Sequence, residues 1–235
     1  MKTLEKCGKT FNLTYMIWFT SDTHYNHKNL VKGISRWEDK SGCRDFNTKE
    51  EMNDILVENI NKVVKPDDVL FHLGDFAFHG KHFIKEFREK INCKNVHLIY
   101  GNHDPDIYDD PEIQSIFSSV AFYREINING QKIMLMHYPL RTWNKWHHGS
   151  WMLYGHCHGK MQNQIPVQLL KQLLEDENWP DIYALADGKE VAKLCPNGRS
   201  MDVGIDTHPQ FRPYSISEIH DIMSTKFFTA AYSHQ

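Results

Sequence analysis

Five apolar, strand-like runs in this chain end in His, Asp or both. They are Ile17–His24, Val69–Asp75, Val96–Asp104, Lys132–His137 and Trp151–His158. β-Branched and aromatic runs of this length that stop at turn residues read as buried strands. The clearest is Val96-His97-Leu98-Ile99, which gives way to Tyr100-Gly101-Asn102-His103-Asp104. Asn, His and Asp taken singly are ordinary turn residues, and Asp22 taken singly would read as a helix cap. Five strand ends that each deliver such groups are not explained by satisfied core histidines or solvated turns. The chain holds 15 histidines, and imidazole is the commonest metal ligand among side chains. Their clustering at strand ends points to metal.

Within the runs, Asp22 and His24 stand two apart, as do His156 and His158. In an extended backbone each pair projects to one face, with Cys157 turned away into packing. Gly74 before Asp75 allows close backbone approach to a ligand. Between these runs, Thr48–Val64 carries helical periodicity with Asn47 or Thr48 as cap, and His79–Ile91 is a second amphipathic helix. A short helical piece is expected around Glu112–Phe117. Asn129-Gly130, between Phe122–Asn127 and Lys132–Met136, predicts a tight hairpin. Val167–Leu174 reads as a helix and Pro196-Asn197-Gly198 as a turn. Residues 1–15 are polar and aperiodic and read as an extension outside the core. Residues 16–235 read as one domain with an insertion at about 160–197, which could cap the site. Early alternation of strands and helices followed by hairpins suggests a layered sandwich with helices outside.

Composition narrows the setting. At 235 residues one domain with a full core is expected. Mean hydropathy is −0.57, and no run approaches the roughly 18 apolar residues of a membrane span. No apolar stretch with a small-residue cleavage site marks a secretory signal. Five scattered cysteines form neither a disulfide framework nor a paired zinc pattern, so a cytoplasmic setting is expected. Net charge is −3 and pI about 6.6, which argues against an extended nucleic-acid surface. Nucleotides or short strands gripped at one site remain compatible.

The ligand candidates are Asp22, His24, Asp75, Asn102, His137, His156 and His158. Seven mixed nitrogen and oxygen ligands exceed one four-coordinate zinc and suit two ions sharing a carboxylate. Such a pair can activate a bridging water and steady both the attacking and leaving oxygens of a phosphate ester. The order D-x-H, G-D, G-N-H-D, H, G-H-x-H resembles the calcineurin-like metallophosphoesterase superfamily, with its five blocks between Asp22 and His158. W-F-T-S-D-T-H at the start, with M-D-V-G-I-D and R-P-Y-S at the end, is similar to small single-domain bacterial and phage members. No family motif covers 160–197.

The resemblance implies an α/β fold, a four-layer αββα sandwich of mixed β-sheets flanked by helices. It implies that Asp22, His24, Asp75 and His158 hold one ion while Asp75, Asn102, His137 and His156 hold the other. It further implies a bridging hydroxide as nucleophile and His103 as general acid, its ring oriented by Asp104. Mn²⁺ is the favoured ion, with Fe, Zn or Ni as alternatives. A nucleotide-like phosphodiester is the favoured substrate; a phosphomonoester or pyrophosphate of a small metabolite is the alternative. A non-catalytic scaffold for a protein partner is the third reading, disfavoured because His103 and the full ligand set are present. His27, Asn29 and Arg141 are the candidate substrate contacts, Arg141 because its guanidinium fork suits two phosphate oxygens. Arg36 could face the same site. Trp143, Trp146, His147 and His148 could stack on a base or sugar; the alternative, favoured for the two tryptophans, places those two in the core.

Overall fold

The computed structural model of the protein describes residues 15–161 and 199–226. Nearly all of the N-terminal extension and of the insertion at 160–197 lies outside these residues. So do the helix expected at Val167–Leu174 and the turn expected at Pro196-Asn197-Gly198.

Four parallel strands, β1 (Ile17–Thr20), β2 (Val69–His72), β3 (Asn95–Ile99) and β4 (Ser119–Ala121), form most of the first sheet. The antiparallel β9 (Tyr214–Ser215) completes it, in the order β4-β3-β2-β1-β9. A parallel sheet covered on both faces needs apolar residues on both, and β1 shows how they divide. Ile17 and Phe19 point into the core between the sheets, with Phe71, Leu73 and Ile99. Trp18 points the other way, into a core with Leu70, Leu98, Ile60, Ile84 and Phe87. The last three come from helices α1 (Lys49–Val63) and α2 (Lys81–Lys90). Thr48, one of the two expected caps, accepts the Glu51 N–H through its hydroxyl at 3.1 Å and starts α1. The pieces α3 (Pro105–Tyr108) and α4 (Pro111–Gln114) follow β3, and α5 (Ile216–Ser224) closes the described chain.

The second sheet runs β5-β6-β7-β8 through Tyr123–Ile128, Gln131–Met136, Trp151–Tyr154 and Ser200–Asp202. β5 and β6 pair antiparallel, and β6, β7 and β8 are parallel. Asn129 and Gly130 join the hairpin with φ of 50° and 85°, the left-handed pair that a two-residue turn of matching twist requires. Ile133, Leu135, Trp151, Leu153 and Met201 face the first sheet. Met134, Met152 and Tyr154 face outward and are covered by Trp143 and Trp146. The protein is thus an α/β fold of two mixed sheets flanked by helices. Among the described residues no helix is long and apolar enough to cross a membrane.

The two sheets join at one rim. Ser21, just past β1, bridges in parallel to Gly204, just past β8, and the Ile205 N–H donates to the Ser21 carbonyl at 2.9 Å. The carboxyl ends of β1, β2 and β3 thereby meet those of β6, β7 and β8. In open α/β sheets this is the end at which ligands bind.

Candidate metal centre

The rim gathers the polar residues that end the strands. Past β1 and β7 the backbone is not extended: Asp22 and His24 have φ of 55° and 45°, and His156 and His158 have 70° and 47°. The face-sharing expected from strand alternation is therefore wrong in mechanism. Asp22 and His24 are brought to one ligand group, and His156 and His158 to two, because the chain turns twice through the left-handed region, with Thr23 or Cys157 between. Asp75 adopts the same region at φ 57°. Non-glycine residues held there cost on the order of 1 kcal/mol or more each, and such strain clusters at functional sites. Close approach fixes two glycines. A Cβ on Gly155 would fall on the Ser21 hydroxyl and the Asp22 carboxylate, and one on Gly101 would fall on Asp75.

Two ligand groups result. Asp22, His24 and His158 bring one ligand atom each to within 4.8 Å of one another, and Asp75, His137 and His156 do the same. Asp75 ties them together, because its Oδ2 lies 3.4 Å from His24 Nε2 and 3.6 Å from His137 Nε2. Asn102 belongs with the second group. Its Oδ1 lies 3.0 Å from His137 Nε2 and 2.9 Å from His156 Nδ1.

Proton accounting tests whether these groups fit metal. His137 Nδ1 faces the Leu73 carbonyl at 2.7 Å, and since a carbonyl only accepts, Nδ1 carries the proton. Burial, with Asp75 and the Leu73 bond opposing it, lowers the His137 pKa. In the neutral ring Nε2 is a lone pair, yet it faces the acceptor oxygens of Asn102 and Asp75. His24 is buried, its Nδ1 has no hydrogen-bond partner, and its Nε2 lies 4.0 Å from Asp22 Oδ1. Burial, then the charges of Arg44 and His158, holds its pKa well below that of a free histidine. His158 Nε2 is 3.9 Å from the same Asp22 oxygen. These gaps are too long for hydrogen bonds. They leave space between the atoms, somewhat wider than the roughly 3.3 Å that separates tetrahedral ligands about 2 Å from one cation. Burial pushes the Asp22 carboxyl up to about 7, against the opposing charge of His158 and the Ser21 hydroxyl bond. A cation would reverse that cost. The donor set fits divalent metal.

A second tier of residues, absent from the sequence reading, holds the ligands. Asp206 accepts from His158 Nδ1 at 2.6 Å and from Arg44 Nε and Nη2 at 2.7 and 3.0 Å. Arg44 also donates to the backbone carbonyls of Asp22 and Thr23 at 2.6 and 2.7 Å. Burial disfavours the Asp206 charge, but Arg44 and His158 outweigh it and hold the carboxyl far below its usual range. The only sequence signal was Asp206 at the end of M-D-V-G-I-D; Arg44 lies in an unremarkable polar loop. Partners that fix a ligating imidazole typically alter metal affinity 10–100-fold when lost. Asp206→Asn is accordingly expected to weaken metal binding by about 10–100-fold, read by competition with a chelating dye.

Other expected site residues fall differently. His103 is exposed on the rim; its backbone N–H donates to Asp75 Oδ1 at 2.8 Å, and its ring is 5.3 Å from that of His24. Asp104 does not orient that ring. Its buried carboxylate accepts the backbone N–H groups of Asp75, Phe76 and Gly101 at 2.8–2.9 Å, pinning the β2 and β3 loops together. His27 is buried beside His24, its Nδ1 accepting the Leu30 N–H at 3.2 Å. Burial, then His103 and Arg44, pushes its pKa down to about 4. Asn29 is half-buried and accepts the Arg36 N–H at 3.4 Å. Arg141 is exposed. Trp143 is buried, bonding to Ser150 through its indole N–H, and so belongs to the core.

Comparison with known proteins follows the same lines. A family model for calcineurin-like phosphoesterases matches residues 15–223. The uncharacterized protein MJ1445 of Methanocaldococcus jannaschii is 32% identical over 152 residues, which are 64% of this chain and 73% of that protein. The solved structure of AQ665, a protein of unknown function from Aquifex aeolicus, is similar with a TM-score of 0.56 and 21% identity. The likeness covers 89% of this chain and all of that one, and speaks to the fold.

Proposed function

The chain belongs to the calcineurin-like phosphoesterase family, metal-dependent phosphoric ester hydrolases, and from that premise we propose that it is a dinuclear phosphodiesterase acting on a nucleotide-like substrate. The observation that carries this reading is the position of Asp75 Oδ2 between His24 of one ligand group and His137 of the other. One ion would be held by Asp22, His24, Asp75 and His158, the other by Asp75, Asn102, His137 and His156. Such ions supply a nucleophilic water at neutral pH and neutralise phosphate charge; manganese is the favoured pair.

The remaining work belongs to the chain. His103, exposed at the edge of the centre, donates a proton to the leaving oxygen. Asp104 sets the backbone from which His103 projects. Arg44 is committed to Asp206 and two carbonyls, so it contributes no fork to the substrate. Exposed aromatic rings at the rim suit a base: Trp37 is 5.8 Å from His27, and Tyr138 is 4.7 Å from His156. Asn29 and Arg141 are carried here as substrate contacts. The same reading takes residues 16–235 as one domain. Three cysteines among the described residues, Cys43, Cys93 and Cys157, are free thiols, in keeping with a reducing cytoplasm.

The reading is tested with Mn²⁺ by comparing bis-p-nitrophenyl phosphate with p-nitrophenyl phosphate. The diester is expected to have the higher kcat/KM. A clear preference for the monoester would replace this reading with a phosphomonoesterase.

A further inference from the structure

Beside the metal centre lies a cavity of about 250 Å³ lined by Lys28, Asn29, Arg36, Phe78 and His79. It is built on firm backbone. Tyr25 and Ala77 bridge in parallel, the Phe78 N–H donates to the Tyr25 carbonyl at 2.7 Å, and Asn26 donates to the Phe78 carbonyl at 3.2 Å. Phe78 forms the shared wall. Its ring stands 5.3 Å from that of His103 and 3.7 Å, edge-on, from that of His27. The cavity therefore opens on the side of the centre where His103 would protonate a leaving group.

Its two cationic side chains are not engaged in ion pairs among the described residues. Lys32, Lys81, Lys85, Lys90 and Lys94 each have a carboxylate within 3.2 Å. Among the described residues neither Lys28 nor Arg36 has such a partner. An ammonium, a guanidinium fork, an imidazole and an amide thus surround one hollow without a counter-ion. Donors arriving from several directions suit a tetrahedral, multiply charged anion better than a planar carboxylate.

We propose that Lys28, Arg36 and His79, with Asn29, form a subsite for a second phosphate carried on the leaving-group side of the substrate. The substrate class is then a nucleotide-like phosphodiester bearing a further phosphate near the bond that breaks. This rests on the phosphodiesterase reading, and it names the feature that separates good substrates from poor ones.

Two measurements test it on the full chain loaded with Mn²⁺. The first compares hydrolysis of thymidylyl-thymidine without a terminal phosphate, with a 5′-phosphate and with a 3′-phosphate. One phosphorylated form is expected to exceed the plain dinucleotide by about tenfold in kcat/KM, as one charge-assisted contact would give. In the double variant Lys28→Ala, Arg36→Ala that advantage should fall to within about twofold. Both side chains are exposed, so the fold is expected to survive. The second is calorimetric binding of thymidine 3′,5′-bisphosphate against thymidine 5′-monophosphate. The bisphosphate is expected to bind about tenfold more tightly, and only while Lys28 and Arg36 are present. Equal binding of the two ligands overturns the subsite, and so does an advantage that persists in the double variant. If no diester is hydrolysed, the phosphodiesterase reading fails while the binding comparison still decides the subsite.

Discussion

Asp75→Asn is expected to lose both metal equivalents and at least about 10³ in turnover, since the ions supply several kcal/mol of transition-state stabilisation. The substitution is nearly isosteric, so packing is not the cause. Asp75 Oδ1 accepts the His103 N–H at 2.8 Å, a bond an asparagine carbonyl can keep. What disappears is the charge shared between His24 at 3.4 Å and His137 at 3.6 Å. An amide in that place offers either a weaker oxygen or two N–H groups aimed at ions. The metal-free fold should stand, because a buried carboxylate with no cation beside it is a burden rather than a support. His24→Ala should differ in kind, depleting chiefly the ion held by Asp22 and His158. Elemental analysis of the two purified variants reads the contrast. Two equivalents of metal in Asp75→Asn, with turnover near that of the parent, would sink the shared-carboxylate assignment.

His103→Ala is expected to keep its metals and lose about 10²–10⁴ in rate on substrates with alkoxide leaving groups. The ring is exposed and contributes only its backbone N–H to the Asp75 carboxylate, a bond alanine retains. A nitrophenolate leaves without help, so the loss on bis-p-nitrophenyl phosphate should be much smaller. Asp104 provides the control. It acts through the backbone of Asp75, Phe76 and Gly101, so Asp104→Asn should slow both substrate types alike. A His103→Ala loss of equal size on both leaving groups would remove the proton from that histidine.

The elements that could be read ahead of the structure are those set by local free energy. The Thr48 cap, the Asn129-Gly130 turn and the β-branched runs each carry their conformational preference within a few residues. Here those preferences agree with the tertiary fold. The candidate ligand residues were legible because metal chemistry restricts which side chains can end five strands. Their mode of convergence was not. Strand alternation seemed enough to pair Asp22 with His24, but the pairing depends on left-handed turns at both residues. Only the surrounding hydrogen bonds hold those turns, such as His24 N–H to the Asp75 carbonyl and His156 N–H to the Asp22 carboxylate.

Residues that act across long sequence separations stayed hidden for the same reason. Arg44 and Asp206 are 162 positions apart, and no periodicity or turn rule relates a loop arginine to an aspartate past the last strand of the second sheet. Asp104 follows a histidine and so invited the role of its partner, yet the β2 loop lay closer and took its carboxylate. By itself, the sequence determined the strands, the hairpin, the order of ligands and the demand for metal, because each follows from short-range preference or from side-chain chemistry. Tertiary structure decided which residues support the candidate ligands and which pin backbone, because those roles depend on distances set only when two sheets close at one rim.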